Sequence, residues 1–433
     1  MKKSDIILLL IALSAILSAI VYKAFWSDKE TAQKPGAAVQ TPIPVQSTFV
    51  PQASTPEPVS SETVKFLRKD AEAAISECSE VYAGLDKGEA SNVVLSDTSV
   101  SQLVNALAAS GYSVVDYFGG CDMKNPEALV NFGQAANLGN NAQASYFVVR
   151  NDGGIDAFTL MLQNGTATES VFSFEWDEDN MPHLYASGNY TLSEMRYTQK
   201  GWLILRRASK NNDAPYTMLR LSEYSAEKRG LAQKYLGTSP YSENNLFTCT
   251  WETGSYKDLD FNCLYPIFYG MYYGTNPLIF SNITELTGYS SVPGTGLHVV
   301  PYDDFERVIQ HYIDVDASYL RQFAQTSSKY SGYYILGAQD RYYGSGASSS
   351  VPTAEVTDFW RNNDGTLSLQ VDAISRENGT DCAFTHIVTI KETKNGFRYY
   401  SNKLVENPEN ILPSQVLRQE RLNQVSELRA ANK

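Results

Sequence analysis

Twice along the chain, segments with helically spaced apolar residues give way to runs of alternating or β-branched and aromatic residues, and this order limits the fold to the α+β class. In the first pass, Val64, Leu67, Ala71, Ala74 and Ile75, then Val100, Leu103, Val104 and Leu107, mark two helices. A third starts at Pro126 and runs through Leu129 and Phe132. Strand-like runs follow at 146–149, 157–162, 171–176, 185–197, 202–207 and 216–221, separated by turn signals such as Asn164-Gly165 and Lys200-Gly201. A helix from Ser225 to Leu236, with Ser225 as its cap, closes this half. In the second pass, Phe305, Val308, Ile309 and Tyr312 share one face of a helix over 301–312, and Asp316 is placed to cap another containing Leu320 and Phe323. Strands are expected at 333–336, 355–360, 366–374, 382–390 and 397–402. Leu367, Leu369, Val371 and Ala373 alternate with polar residues, as a sheet with one wet face requires. The reading is two modules of helices packed on antiparallel sheets, 61–240 and 241–405, followed by a helical tail over 406–433. Thr198–Trp202 echoes Thr393–Phe397, a match that duplication and convergent hairpin chemistry explain equally well.

Ahead of the modules, Lys2 and Lys3 precede an apolar run from Ile6 to Tyr22, and Lys23, Phe25 and Trp26 follow it like interfacial anchors. The run covers about 25 Å as a helix, the short end of what spans a bilayer. No convincing small-x-small cleavage site follows, which favours an uncleaved signal anchor over a signal peptide. The expected layout is a cytoplasmic end (1–5), a transmembrane helix (6–22), a disordered linker rich in Pro, Ser, Thr and Gln (23–60) and an extracytoplasmic remainder. Six prolines between Pro35 and Pro58 keep that linker from packing.

Composition removes one class of partner. With 35 Lys+Arg against 48 Asp+Glu, the formal charge of −13 repels phosphate backbones, so a nucleic-acid role is excluded.

Motifs for catalysis are weak. No Cys-x-x-Cys, His-x-x-x-His, Gly-x-Ser-x-Gly or phosphate-binding glycine loop occurs, and no catalytic residue, metal ligand set or cofactor is assigned. Of five cysteines, Cys249 and Cys263 are spaced to close a disulfide loop of about fifteen residues, with buried thiols as the equal alternative. Ser225-Ala226-Glu227-Lys228 has the Ser-x-x-Lys form of acyl enzymes but lacks its companion motifs. Asp303, Asp304, Glu306, Asp314 and Asp316 read as helix-terminal charge and capping. His386 shares strand parity with Phe384, Val388 and Ile390, which makes it a hydrogen-bonded core histidine or the lining of a pocket. Its parity mate Cys382 lies about 13 Å away along a regular strand, too far for a Cys/His dyad. Tyrosine is enriched, at 28 residues, and crowds two segments. Tyr269 and Tyr272 belong to one, Tyr333, Tyr342 and Tyr343 to the other, and both packing and ligand recognition suit them.

The segments Pro301–Ile309, Asp314–Asp316, Val356–Trp360, Asn363–Ala373 and Ala383–His386 resemble a family of single-pass, membrane-anchored extracytoplasmic proteins of Gram-positive gut Clostridia, grouped as a domain of unknown function. The resemblance is close over 295–405 and loose elsewhere. It implies location and architecture and carries no site residues. The order of the C-terminal elements is also similar to the NTF2-like and cystatin-like group, a likeness of fold alone.

The leading functional reading is a non-enzymatic cell-envelope binding module for a glycan, peptide or protein. An extracytoplasmic hydrolase with dispersed carboxylates, among them Glu175, Asp177 and Glu178, and a structural partner of a membrane complex are the alternatives. Deleting residues 1–26 is expected to release the chain into the soluble fraction, because no later run is long and apolar enough to span a bilayer. A deleted form still integral to membranes after carbonate washing would contradict this.

Overall fold

The computed structural model describes residues 61–88, 93–116, 123–211, 213–237, 241, 244–275, 283–293, 297–336, 351–407 and 409–413. The expected anchor, linker and most of the tail lie outside them, and no described helix is long and apolar enough to cross a membrane. The fold is α+β, and the described residues fall within one compact unit, 46–433, that holds separate cores.

The first half is a seven-stranded sheet covered on both faces. Its strands are β1 (Val114–Asp116), β2 (Ala142–Val149), β3 (Ile155–Gln163), β4 (Thr166–Trp176), β5 (Pro182–Tyr197), β6 (Trp202–Arg207) and β7 (Tyr216–Arg220), in that spatial order. From β2 onward they form the expected antiparallel meander. Strand β1 was not foreseen. It pairs in parallel with β2, and the crossover this demands carries a helix. Helices α1 (Ser61–Ser76), α2 (Ser79–Ala83) and α3 (Asp97–Ala109) bury Leu67, Ile75, Leu103 and Leu107 with Phe172 and Phe174 of the sheet. On the other core, α4 (Glu127–Asn137) buries Leu129 and Phe132 with Leu160 and Leu203. Gly133 permits this: a Cβ there would stand 2.7 Å from Tyr197.

The second half contains two sheets rather than one continuation of strands. Strands β9 (Ser290–Ser291), β10 (Leu297–Pro301), β11 (Thr326–Ser327) and β12 (Gly332–Leu336) form a small sheet in the order β11-β12-β10-β9. Strands β13 (Thr353–Arg361), β14 (Leu367–Ile374), β15 (Thr385–Thr393) and β16 (Gly396–Val405) form a meander extended by β8 (Trp251–Glu252). The run expected at 333–336 thus pairs with β10, a strand the pattern did not reveal. Helices α5 (Ala226–Tyr235), α6 (Phe261–Tyr273), α7 (Ile283–Thr287), α8 (Tyr302–Tyr312) and α9 (Ala317–Phe323) complete the half. Ser225 does cap α5, its Oγ accepting from Lys228 N. Helix α5 nevertheless packs with the second half, since Tyr235 is buried there and its carbonyl accepts from Tyr399 Oη. Asp316 stands at the N-cap of α9 without a side-chain capping bond.

The halves meet at a seam with a small apolar centre, Trp202, Ile204, Met218 and Ile374, ringed by charge. Arg220 pairs with Glu355, Lys200 pairs with Asp372, and Arg196 donates to the Gly379 carbonyl. Gly379 sits at φ +60°, and the Tyr216 ring occupies the place of its missing Cβ. Both side chains of the Arg220–Glu355 pair are at most 10% exposed, so removing one strands the other in a low dielectric. Arg220→Met is expected to cost about 3–5 kcal/mol in chemical denaturation, and adding Glu355→Leu to restore most of it. An Arg220→Met variant as stable as the parent would show that the pair does not hold the seam.

Candidate functional site

Helix α8 has two faces with different fates. Phe305, Val308, Ile309 and Tyr312 are buried, and the Phe305 ring lies between two others. Tyr265 stacks on it at 4.9 Å and 11°, Tyr333 at 4.1 Å and 17°. The opposite face presents Asp303, Arg307, Gln310 and His311. With Tyr272 from the last turn of α6 and Arg398 from β16, these residues line an open groove of about 480 Å³, with Glu306 also in its wall.

Four of the polar groups in the groove are held by neighbours. Arg307 donates from Nη2 to Tyr273 Oη at 2.9 Å and pairs with Asp304. Arg398 Nη1 meets Asp314 Oδ1 at 2.9 Å. Gln310 Nε2 donates to the Val315 carbonyl at 2.9 Å. Glu306 receives Arg321 through two nitrogens, at 2.7 and 3.0 Å, and also accepts from Tyr333 Oη. Asp303 is exposed and makes no ion pair among the described residues. The Tyr272 ring stands edge-on to His311 at 4.9 Å and is 36% exposed. Partial burial, with the Arg398 charge second, lowers the His311 pKa and keeps the imidazole neutral at pH 7. Among the described residues no Ser, Thr or Cys lines the groove, and what lines it offers hydrogen bonds and an aromatic face.

Of the residues offered as ligand-binding from sequence, Tyr272 alone lies in this groove, and Asp303 and Glu306, read there as helix-terminal charge, line it too. Tyr269 is half-buried between Tyr265 and Tyr273. Tyr333 is fully buried in the ring stack, so it is no part of a surface platform. Tyr342 and Tyr343 fall outside the described residues. His386 is also fully buried, its ring against Phe247 and Phe384. Nδ1 donates to Asn402 Oδ1 at 2.7 Å and Nε2 accepts from Tyr241 Oη at 2.9 Å, which makes it a satisfied core residue. The Cys249–Cys263 bridge is not formed. Both are thiols, Cys249 Sγ donating to the Asn245 carbonyl while Cys263 follows the Asp260 cap in the first turn of α6. Glu175, Asp177 and Glu178 are exposed, and Asp177 Oδ1 accepts from the backbone of Asp179 and Met181, locking a hairpin turn. Among the described residues, no group of His, Cys, Asp and Glu is arranged to hold a metal ion.

Arg307, Gln310, His311 and Arg398 were not anticipated. Asp303, Arg307 and Gln310 repeat at helical spacing opposite the apolar stripe, a signal that marks an exposed helix face without distinguishing a binding face from a solvated one. Arg398 arrives from a strand 87 positions after His311, which only the fold brings near.

The chain belongs to a family of unknown function (DUF6070), whose model matches residues 65–419. No curated protein matches. Among solved structures it is similar to an "Ntf2 like protein involved in plasmid conjugation", at 12% identity over 78% of this chain and 97% of that one. The TM-score of 0.12 is too low for this likeness to bear on fold or function.

His386 ties stability to pH. Burial lowers its pKa from 6.5 to about 4, against the opposing hydrogen bond to Asn402 Oδ1 and the charge of Asp372. Between those values the unfolded chain binds the proton and the folded one does not, so stability is full above about pH 6.5 and falls toward pH 4, by about 3 kcal/mol. Denaturant titrations at pH 7.5 and 4.5 are expected to show this loss, and His386→Gln to shrink it. An unchanged loss in that variant would assign the pH dependence to other groups.

Proposed function

We propose that this member of the family is a membrane-anchored, extracytoplasmic binding module of the cell envelope, without catalytic activity, that engages a wall glycan, a peptide or another envelope protein through the α8 groove. The observation that carries the reading is the groove itself. Arg307, Gln310 and Arg398 are fixed in place by neighbours within the protein, and an exposed aromatic ring stands beside them, so much of the surface is pre-organised for recognition at low entropic cost. The charged run at 2–3, the apolar run at 6–22 and the proline-rich stretch to residue 60 support attachment through an N-terminal helix, with the folded part held off the membrane. Helices over an antiparallel sheet in the second half support grouping it with NTF2-like and cystatin-like folds, which adds nothing about the ligand.

Sedimentation with purified envelope of the producing cell tests the proposal. A 61–433 fragment is expected to co-sediment, and Arg398→Ala to reduce the bound fraction several-fold. A fragment that stays in the supernatant, or an Arg398→Ala variant that binds as well as the parent, would contradict it.

A further inference from the structure

We infer that the α8 groove takes a neutral saccharide, with Tyr272 as the ring on which a sugar face packs and Asp303, Gln310 and His311 as partners of its hydroxyls. This rests on the groove being the binding face. Charge is the first reason. Arg307 is matched by Asp304, Arg398 by Asp314 and Glu306 by Arg321, so among the described residues no unmatched cation in the groove rewards an anionic ligand. The chain's charge of −13 repels polyanions further.

Shape is the second. The groove is open, and among the described residues its lining is mostly polar and charged, a poor match for a lipid tail or a hydrophobic side chain. A peptide adding as a strand needs a free sheet edge. Strand β16 offers none beside Arg398, because β15 pairs with one side and Tyr399 bridges Ile313 on the other.

Chemistry is the third. A sugar has an apolar C–H face and a rim of hydroxyls that both donate and accept. The groove supplies the complement: an aromatic ring with exposed area, a carboxylate, a side-chain amide and a neutral imidazole. Asp303 to Gln310 spans about 10 Å along the helix axis, room for a short oligosaccharide rather than a single ring.

Calorimetric titration of the full chain, held in a sugar-free detergent, with chitotetraose, cellotetraose and maltotetraose tests this. At least one is expected to bind. Tyr272→Ala should weaken that binding about 10-fold or more with only a small drop in melting temperature, since the ring is partly exposed at the rim of the fold, and Tyr272→Phe should stay within about twofold. Gln310→Ala should also weaken it. Binding that Tyr272→Ala leaves intact would overturn the inference. If no tetrasaccharide binds but a soluble digest of wall material still does, in a manner that Arg398→Ala abolishes, the saccharide assignment falls and the groove reading stands. If neither binds, both fall.

Discussion

The stack of Tyr265, Phe305 and Tyr333 fixes the helix on which the candidate site is built. Each ring is fully buried, and burying a large apolar side chain is worth roughly 1.5–3 kcal/mol before geometry adds to it. Phe305 sits one turn before Val308 and Ile309, so anchoring it sets the rotation of α8 about its axis. Once that rotation is set, Asp303, Arg307 and Gln310 have only the outer face left to them. The same stack carries the Tyr333 hydroxyl to Glu306, and Glu306 in turn orients Arg321. A core contact and a surface arrangement are therefore two sides of one constraint.

Around this lies a scaffold held partly by charge. The halves share only a small apolar patch, and Arg220–Glu355 and Lys200–Asp372 supply much of what specifies their docking. Buried pairs of this kind add little net stability over apolar substitutes but penalise misalignment heavily, because a displaced partner leaves a charge without compensation. Asp372 joins the halves further. It accepts from Lys200 of the first half and from Thr385 of the second, so the seam and the strand that carries His386 are linked through one carboxylate.

Much of this was legible in the sequence. The α8 stripe and the meander from β2 to β7 agree with the structure, whereas β14 is a strand as expected but lacks the wet face its alternation suggests, since Ser368 and Asp372 are buried with the apolar positions. The α6 segment escaped notice because it is apolar on nearly every side and contains Pro266, which removes the periodic contrast that marks a surface helix. Its ends carried the missing signal. Asp260 accepts from the backbone of Asn262 and Cys263, and Gly274 closes the helix at φ +70°. Tyrosine enrichment singled out both Tyr272, which lines the groove, and Tyr333, which is buried, since residue type is the same for a ring in the core and a ring on the surface. What separates them is Glu306, whose buried carboxylate gives the Tyr333 hydroxyl a partner inside the protein. The groove needed α6, α8 and β16 together, and no local pattern encodes that meeting.

Hydrogen-exchange mapping of the full chain, with and without soluble fragments of cell wall, tests most directly whether the outer face of α8 is the recognition surface. Protection is predicted in peptides covering 269–274, 302–312 and 396–400, the three segments that build the groove. Protection confined to other segments, with these three unchanged, would contradict the account.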